Sequence, residues 1–422
     1  MERSDINPLE EIKVVEYIKE DVIENNEQEI QPTYPSMGKI EVKYPRVSSN
    51  IGNYEEEKSD SRIKISIVEH TIKSELLLKG VYFIVKGQDS SGTFESSRKF
   101  KDFRLLREHL SNSWPGCYIP PVPHKKNLGT TQPEFIEHRK KLLNWFLAKI
   151  SSMSYLYESP EFQEFIRGNS EYRKVEWKKS SYDEISQKCQ KIFKEFSSGE
   201  YNENHEAIIE EANNYFKSGK NILERFEQIC KANTDYFYYF GASFSQLFSG
   251  FVEVGGFYTE AYGSHPLHIH VKEKPANPFT MLLDWVRWEI IDLEAIMEAI
   301  SRVKDLEKTK IKSQGKLQSE LVQYQKLQAG RKSISQILSI KSKEQNLKNL
   351  QGSTINLEAE IDALSVLQKI CTSRFVSVDL PAFKKQKSKK YELILRSFTK
   401  SSVSEFQQII LQTKEIEDNL NS

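Results

Sequence analysis

The helical periodicity of the second half of the chain constrains the fold most. From about residue 182 onward strand signals are few, and helix candidates cover residues 182–196, 204–254, 278–343 and 353–419, the last with a break near Pro381. Several are far longer than the mean helix of a globular domain. Such helices need partners to bury their apolar stripes, so the sequence predicts a coiled coil or a bundle of long arms. No repeat of fixed period is found, which argues against a solenoid.

The helix candidate that starts at Pro278 carries the clearest apolar seam. Its members follow alternating steps of three and four residues: Leu283, Val286, Ile290, Leu293, Met297 and Ile300. Trp285, Trp288 and Ile291 widen the seam, so more than one helix must pack around it. Farther on, the charge becomes basic, and we expect these side chains to contact an anionic surface: Lys304, Lys308, Lys310, Lys312, Lys316, Arg331 and Lys332. A later lysine-rich run, 384–390, is either a solvated helix face or a second such contact.

Composition limits the class of protein. The 422 residues carry a net charge of zero, so no overall field attracts nucleic acid, and we predict no nucleic-acid partner. The four cysteines are scattered without paired spacing, which argues against a disulfide framework or a zinc site and fits a reducing cytoplasm. We find no signal segment and no apolar run long enough to span a bilayer. Any contact with a membrane is therefore expected to be peripheral.

The first half of the chain reads as an acidic tail followed by an α+β domain. Residues 1–60 are rich in acidic residues, with Asn, Gln and scattered Pro between the charges, and we expect them to be disordered. Strand candidates begin near Ile63, cover 81–86 and begin again at Gly92, and helix candidates follow at 102–110, 135–146 and 161–167. Strands followed by helices, without βαβ alternation, favour an α+β domain that ends near residue 170.

A basic and aromatic corner follows the third strand candidate. Arg98, Lys99 and Phe100 stand where that strand meets a helix that Asp102 can cap. A proline turn, Ile119-Pro120-Pro121-Val122-Pro123, leads to Lys125 and Lys126, and a second helix brings Arg139, Lys140 and Lys141. Cations from three segments beside one aromatic ring suit a phosphorylated ring compound. The alternative is a solvated basic face around a buried Phe100.

These three motifs resemble the phox-homology (PX) domain, the phosphoinositide reader of the sorting nexins. The resemblance implies that Lys99 holds the 3-phosphate, Phe100 packs against the inositol, Lys125 lies near the 1-phosphate and Arg139 holds the ring hydroxyls. The family usually has Arg where this chain has Lys99, and lysine lacks the bidentate fork. Arg98 is a candidate to compensate.

The helical half resembles the BAR domain of the same family. The similarity rests on Asn277-Pro278-Phe279, on Leu283-Asp284-Trp285-Val286-Arg287 and on Leu380-Pro381-Ala382-Phe383-Lys384. It implies an elongated three-helix coiled coil that dimerises and lies on curved anionic membrane. The expected organisation is a disordered tail (1–60), a PX domain with a three-stranded antiparallel sheet (61–170), a linker with an amphipathic helix (171–203) and a BAR domain (204–422).

Other motifs in the sequence do not amount to a site. A metal at His265, His268 and His270 lacks further ligands at suitable spacing, so we predict no metal. Phosphate-loop, dinucleotide and nucleophile-elbow motifs are absent, so we predict no cofactor, no catalytic residue and no enzyme activity. An aromatic run at 236–240 is expected to be core or dimer interface.

The expected protein is a sorting nexin of the PX-BAR type. It would bind phosphatidylinositol 3-phosphate on early endosomes from the cytoplasm, pair with itself or another sorting nexin, and serve tubule-based recycling, with a retromer-like complex as a possible partner. The alternative is a coiled-coil scaffold that uses the PX half for protein contacts.

Overall fold

The structure is a computed structural model, and it describes residues 63–75, 78–125, 132–168, 172–177, 180–197, 203–262, 277–329 and 343–421. All of these belong to one compact unit, Lys58–Ser422. The expected acidic tail, Lys126, the three histidines at 265–270, Arg331 and Lys332 lie outside the described residues.

Three antiparallel strands form one sheet in the order β1-β2-β3. They are β1 (Lys64–Glu75), β2 (Leu78–Asp89) and β3 (Gly92–Lys99), as the alternation of apolar residues predicted. Phe83 and Val85 face the core because successive side chains of a strand point to opposite faces. The β2–β3 turn needs Gly92, whose φ of 106° few other residues adopt.

Four α-helices and a short 3-10 helix complete this half of the unit. They are α1 (Phe100–Ser113), α2 (Pro133–Ser151), α3 (Ser154–Tyr157) and α4 (Pro160–Arg167), followed by Tyr172–Lys174. Phe103, Leu106 and Leu110 of α1 are fully buried, as their helical spacing predicted. The α1 ring of Phe103 meets Phe83 of the sheet edge to face, at 6.2 Å between ring centres. The predicted α+β arrangement is confirmed.

Long helices make up the rest of the unit. They are α5 (Tyr182–Ile192), α6 (Lys194–Ser197), α7 (Glu203–Tyr262), α8 (Pro278–Gln328), α9 (Lys343–Arg374) and α10 (Leu380–Asn421). The α8 helix packs against both α7 and α9, and its predicted seam is buried at Leu283, Val286, Ile290, Leu293 and Ile300.

The predicted break near Pro381 takes a different form. A π-helical segment, Phe375–Asp379, joins α9 to α10, and Pro381 stands in the first turn of α10. Proline donates no backbone hydrogen bond and its ring crowds the turn before it, so that turn departs from regular α-helix while the helical path continues. The helix predicted to end near residue 343 ends instead at Gln328.

The segment between α1 and the proline turn joins the two halves of the unit. The Cys371 thiol of α9 donates a hydrogen bond to the Pro115 carbonyl, at 2.9 Å. Gly116 has φ 78°, and a Cβ there would lie 2.8 Å from Val303 Cγ2 on α8. Only glycine fits so close an approach in the left-handed region. This segment therefore lies directly against the long helices.

Candidate functional site

The basic corner is held by a buried carboxylate. The α1 helix begins at Phe100, three residues earlier than an N-cap at Asp102 would place it, and Lys99 occupies the N-cap position. Asp102 accepts a hydrogen bond from the backbone N–H of Lys99 at 2.7 Å and forms an ion pair with Arg173 at 3.0 Å. Burial raises the pKa of Asp102, and these donors partly offset that rise. The carboxylate thus fixes where Lys99 and Phe100 leave the strand.

Two phenyl rings hold the guanidinium of Arg139. Its central carbon lies 3.9 Å from the ring centre of Phe100 and 4.3 Å from that of Phe135. Phe135 precedes Arg139 by four residues on α2, so the two side chains share one helix face. Burial lowers the pKa of Arg139 to about 10, which still leaves it charged at neutral pH.

The donors of this guanidinium are not used by the described part of the protein. Arg139 is only 7% exposed, yet none of its N–H groups reaches a carboxylate or carbonyl acceptor among the described residues. Guanidinium N–H groups are strong donors for phosphate and hydroxyl oxygens. A buried cation with unused donors is therefore arranged to receive a polar ligand.

Lys99 is the last residue of β3. It is paired with Tyr82 across β2 and β3, and its Nζ lies 4.6 Å from the centre of the Tyr82 ring. Lys125, the fourth expected ligand, is exposed after the proline turn. The structure thus puts Phe100 and Arg139 in direct contact, with Lys99 adjacent in the chain to Phe100.

Arg98 lies elsewhere, which corrects its assignment as a second phosphate ligand. Its side chain is fully buried, and Nε donates to the Phe165 carbonyl at 2.7 Å. Nη2 donates to the carbonyls of Glu164 and Gly168 at 3.2 and 2.9 Å. The Phe165 and Gly168 carbonyls lie at the C-terminal end of α4, where carbonyls lack helical partners, whereas the Glu164 carbonyl also accepts from the Gly168 N–H. Arg98 therefore ties β3 to α4.

The basic stretch of α8 divides into two faces. Lys304, Lys308, Lys312 and Lys316 recur every four residues and form one row, here called the α8 lysine row. Lys308 and Lys316 are 75% and 63% exposed, and each forms an ion pair within α8, with Asp305 and Glu320. Lys304 pairs with Glu210 of α7. Such surface pairs are weak and exchange readily for another anion.

Lys310 is a correction to the predicted basic surface. It turns toward α9, where its Nζ donates to Gln368 at 2.6 Å. Residues four positions apart lie on nearly the same side of a helix, whereas Lys310, two positions from Lys308, points to a different side. Lys310 is thus part of the packing between α8 and α9.

The helix that carries Arg139 also docks on α8. Asp284 of α8 lies 3.3 Å from His138 and 3.0 Å from Lys141, both on α2. Although burial opposes it, these two partners lower the pKa of Asp284. Trp145 of α2 meets Trp288 of α8 at 5.2 Å between ring centres. One face of α2 therefore serves the basic corner and another joins the long helices.

A buried charge cluster lies deeper in this junction. Lys387 of α10 pairs with Glu289 at 2.5 Å and with Asp292, both on α8. Asp292 also accepts a hydrogen bond from the hydroxyl of Tyr118, which immediately precedes the proline turn. Buried charges are tolerated only when they are paired and hydrogen-bonded. The sequence did not predict this cluster, because two acidic residues within an apolar seam do not reveal a cationic partner that lies 95 residues from Asp292 in the chain.

No helix among the described residues is apolar enough over sufficient length to cross a bilayer. Within the same residues, His, Cys, Asp and Glu side chains form no group of three that could hold a metal ion. Phe135 and Tyr82 were not predicted as site residues. Only the four-residue spacing of Phe135 from Arg139 could have suggested its role.

Comparison with protein families finds one match within the first half of the chain. The PX domain family matches residues 87–169. Vacuolar protein sorting-associated protein vps5 of Schizosaccharomyces pombe is 34% identical over 106 residues, which are 24% of this chain and 18% of that protein. Sorting nexin-7 of Mus musculus is 28% identical over 175 residues, which are 40% of this chain and 45% of that protein. The chain thus spans less than half the length of these relatives.

A solved structure matches more of the chain. The cryo-EM structure of the SNX-BAR protein Mvp1, a tetramer, covers 83% of this chain and 99% of its own, with a TM-score of 0.51 and 13% sequence identity. At that identity the likeness concerns the fold. The long helices after the PX domain therefore follow the arrangement of an SNX-BAR protein.

Proposed function

Because this chain has the PX-BAR architecture of the sorting nexins, we propose that it is a peripheral membrane protein that binds phosphatidylinositol 3-phosphate and curved endosomal membrane. It acts in endosomal sorting and tubule-based recycling. It is not an enzyme, and it works from the cytoplasm on early endosomes. The relatives named for vacuolar protein sorting and as sorting nexins support this direction.

The position of the Arg139 guanidinium between two phenyl rings is the observation that supports this proposal most directly. Its faces are covered by Phe100 and Phe135, so only its N–H edge meets a ligand, which suits vicinal ring hydroxyls. Phe100 packs against the inositol, Lys99 holds the 3-phosphate and Lys125 lies near the 1-phosphate. The PX resemblance supplies these roles, and the contact of Phe100 with Arg139 supports them.

The long helices supply the second attachment. The exposed members of the α8 lysine row meet the anionic leaflet, where each basic residue contributes about 1 kcal/mol. Once one of these weak contacts has formed, the other forms at a high effective concentration because both belong to one dimer. Together they give a stable attachment. A rigid bent surface gains all of its contacts only on matching curvature.

The partner in this dimer is a second copy of the chain or another sorting nexin. Large apolar side chains stay exposed in the single chain on two helices: Tyr236, Tyr238, Tyr239, Phe251 and Phe257 on α7, and Val403, Phe406, Ile410 and Leu411 on α10. Tyr236 and Phe257 are 72% and 68% exposed. Such area favours a helical interface. Sedimentation as a monomer at micromolar concentration would contradict the self-paired form. A retromer-like complex is the further partner we propose.

The headgroup assignment is tested by removing Lys99 and Arg139 together. We expect the Lys99→Ala, Arg139→Ala variant to lose binding to vesicles that contain phosphatidylinositol 3-phosphate, because both the phosphate and the hydroxyl contacts are gone. The matched control is Lys191→Ala with Lys194→Ala, two exposed cations on α5 and α6. Vesicle flotation measures the bound fraction. Equal binding by both variants would rule out the assigned site.

A further inference from the structure

Three of the four cysteines lie in one buried cluster where the first half of the unit meets the long helices. Cys117 follows α1, Cys189 lies on α5 and Cys371 lies on α9, and all three are free thiols. Their wide separation in the sequence predicted no such cluster. The fourth cysteine, Cys230 on α7, belongs to a separate small apolar core.

The segment between α1 and the proline turn brings two of these thiols together. The Cys371 thiol donates a hydrogen bond to the Pro115 carbonyl at 2.9 Å. A Cβ built on Gly116 would lie 3.0 Å from Cys371 Cβ and 3.4 Å from Cys371 Sγ. Cys117 is the next residue, and its sulfur is within hydrogen-bond reach of the Cys371 thiol. A disulfide joins Cβ atoms about 4 Å apart, so two thiols already in contact need only a small movement to bond.

Arg374 makes the two thiols unequal. It follows Cys371 by three residues on α9, and its Nη1 donates to the Cys117 sulfur at 3.2 Å. The hydrogen bond with Cys371 and the charge of Arg374 lower the pKa of Cys117, although burial and Asp379, the ion-pair partner of Arg374, oppose this. The thiolate, and not the thiol, attacks an oxidant. Cys117 is therefore the better nucleophile of the pair.

We propose that Cys117 and Cys371 form a disulfide when the protein meets a hydroperoxide, with Cys117 as the attacking thiolate and Cys371 as the resolving thiol. The Cys117 sulfur attacks one peroxide oxygen, the O–O bond breaks, and the leaving hydroxide takes a proton to become water. The Cys371 sulfur then attacks the sulfenic acid, which forms the S–S bond and expels a second water. The two thiols lose two electrons and two protons, which reduce the peroxide to two waters.

The disulfide ties the segment after α1 to α9, and so joins the two halves of the unit by a covalent bond. Cys117 and Cys371 are only 3% and 2% exposed, so the expected oxidant is as small as hydrogen peroxide. A reducing cytoplasm returns both residues to thiols. The bond is therefore a transient response to oxidant rather than part of a permanent framework.

The bond is tested by treating the purified full chain with hydrogen peroxide and then alkylating it in denaturant with N-ethylmaleimide. We expect the wild type to lose two of its four alkylatable thiols. It should also migrate faster on a denaturing gel without reductant, because the bond closes a loop of more than half the chain. Dithiothreitol should reverse both changes. Peptide mass spectrometry should find Cys117 linked to Cys371.

Serine variants provide the controls. Cys117→Ser and Cys371→Ser should each lack the faster band, whereas Cys230→Ser, outside the cluster, should behave like the wild type. Circular dichroism melting without peroxide shows which variants are folded. The peptide map of the wild type decides the proposal even where a variant does not fold.

The two roles are separated with dimedone, which labels sulfenic acids and is added in denaturant after the peroxide has been removed. In Cys371→Ser the hydroxyl still donates toward Cys117, and we expect label on Cys117. In Cys117→Ser we expect no label on Cys371. The reverse pattern would overturn the assignment of the attacking thiol.

Three other results would overturn the proposed bond. A link from Cys117 to Cys189 would show that Cys371 is not the resolving thiol. Oxidation that occurs only in urea would show that peroxide does not reach the pair in the folded protein. Equal loss of thiols in Cys117→Ser and Cys230→Ser would show that oxidation does not select this pair.

Discussion

At the scale of single residues, Phe135 is the side chain whose role is easiest to isolate. Its ring covers one face of the Arg139 guanidinium at 4.3 Å. We expect Phe135→Leu to weaken inositol 1,3-bisphosphate binding by about 1 kcal/mol, roughly fivefold, because the cation–π contact that orients Arg139 is lost. Phe135→Tyr retains the ring and should bind normally. Calorimetry distinguishes them, and equal losses in both variants would contradict this orienting role.

Lys387 is the residue on which the buried charge cluster depends. Lys387→Met leaves Glu289 and Asp292 buried without their cation, and we expect a loss of about 3–5 kcal/mol of stability at neutral pH. Lys385→Met, an exposed neighbour on α10, is the control and should change stability little. Urea unfolding followed by circular dichroism measures both. A Lys387 variant as stable as the control would show that the cluster is not needed.

The same pair of variants predicts a pH dependence. Burial opposes it, but Lys387 lowers the pKa of Asp292 in the folded protein, so the wild type gains stability above the unfolded pKa and loses it as pH falls through the folded one. In Lys387→Met, burial without the cation raises the pKa of Asp292. Protonation of Asp292 as the pH falls then removes its buried charge and stabilises the variant. The stability gap between wild type and Lys387→Met should therefore shrink from pH 7 to pH 5. A gap that widens over this range would contradict the pairing.

Sequence reasoning succeeded at this scale where the spacing of apolar residues decided the outcome. The burial of Phe103, Leu106 and Leu110 followed from one helix face. The prediction that Arg98 binds the ligand was wrong, because its neighbours in the sequence do not reveal that its side chain binds the Phe165 carbonyl. The sequence also did not indicate that Phe135 packs on the Arg139 guanidinium, since Phe135 has the spacing of an ordinary core residue in an amphipathic helix.

At the scale of elements, α8 combines a buried seam with a basic edge. The start of this helix and its seam were predicted from the sequence, but its C-terminal end was not. The orientation of Lys310 toward α9 could not be predicted without knowing where Gln368 lies. The π-helical segment before Pro381 was not readable either, because a proline signals an irregularity but not its form. The periodicity of the sequence therefore predicts the presence of a helix better than it predicts which of that helix's side chains are exposed.

The α8 lysine row makes a prediction at this scale. We expect Lys308→Glu with Lys312→Glu to weaken binding to small phosphatidylserine vesicles by about tenfold at physiological salt, because reversal replaces two attractions with two repulsions. The Lys191→Glu, Lys194→Glu variant on α5 and α6 carries the same change of net charge. Flotation at low and high salt compares them. Equal weakening by both would mean that total charge, and not the row, governs attachment.

At the scale of the whole molecule, α2 links the two proposed contacts with membrane. Arg139 lies on the face of α2 toward Phe100, and His138, Lys141 and Trp145 join α2 to α8. The proposed headgroup site therefore has a fixed relation to the helix that carries the lysine row. Under the proposed function, this coupling would let one headgroup contact orient the longer basic surface toward the same membrane.

The most direct test of the central claim is cosedimentation of the purified protein with vesicles of two diameters, small and large, each with and without phosphatidylinositol 3-phosphate. We expect binding that requires the phosphoinositide and is strongest on the small vesicles. Binding that is indifferent to both lipid and diameter would contradict the claim, and would favour a coiled-coil scaffold whose PX half contacts proteins.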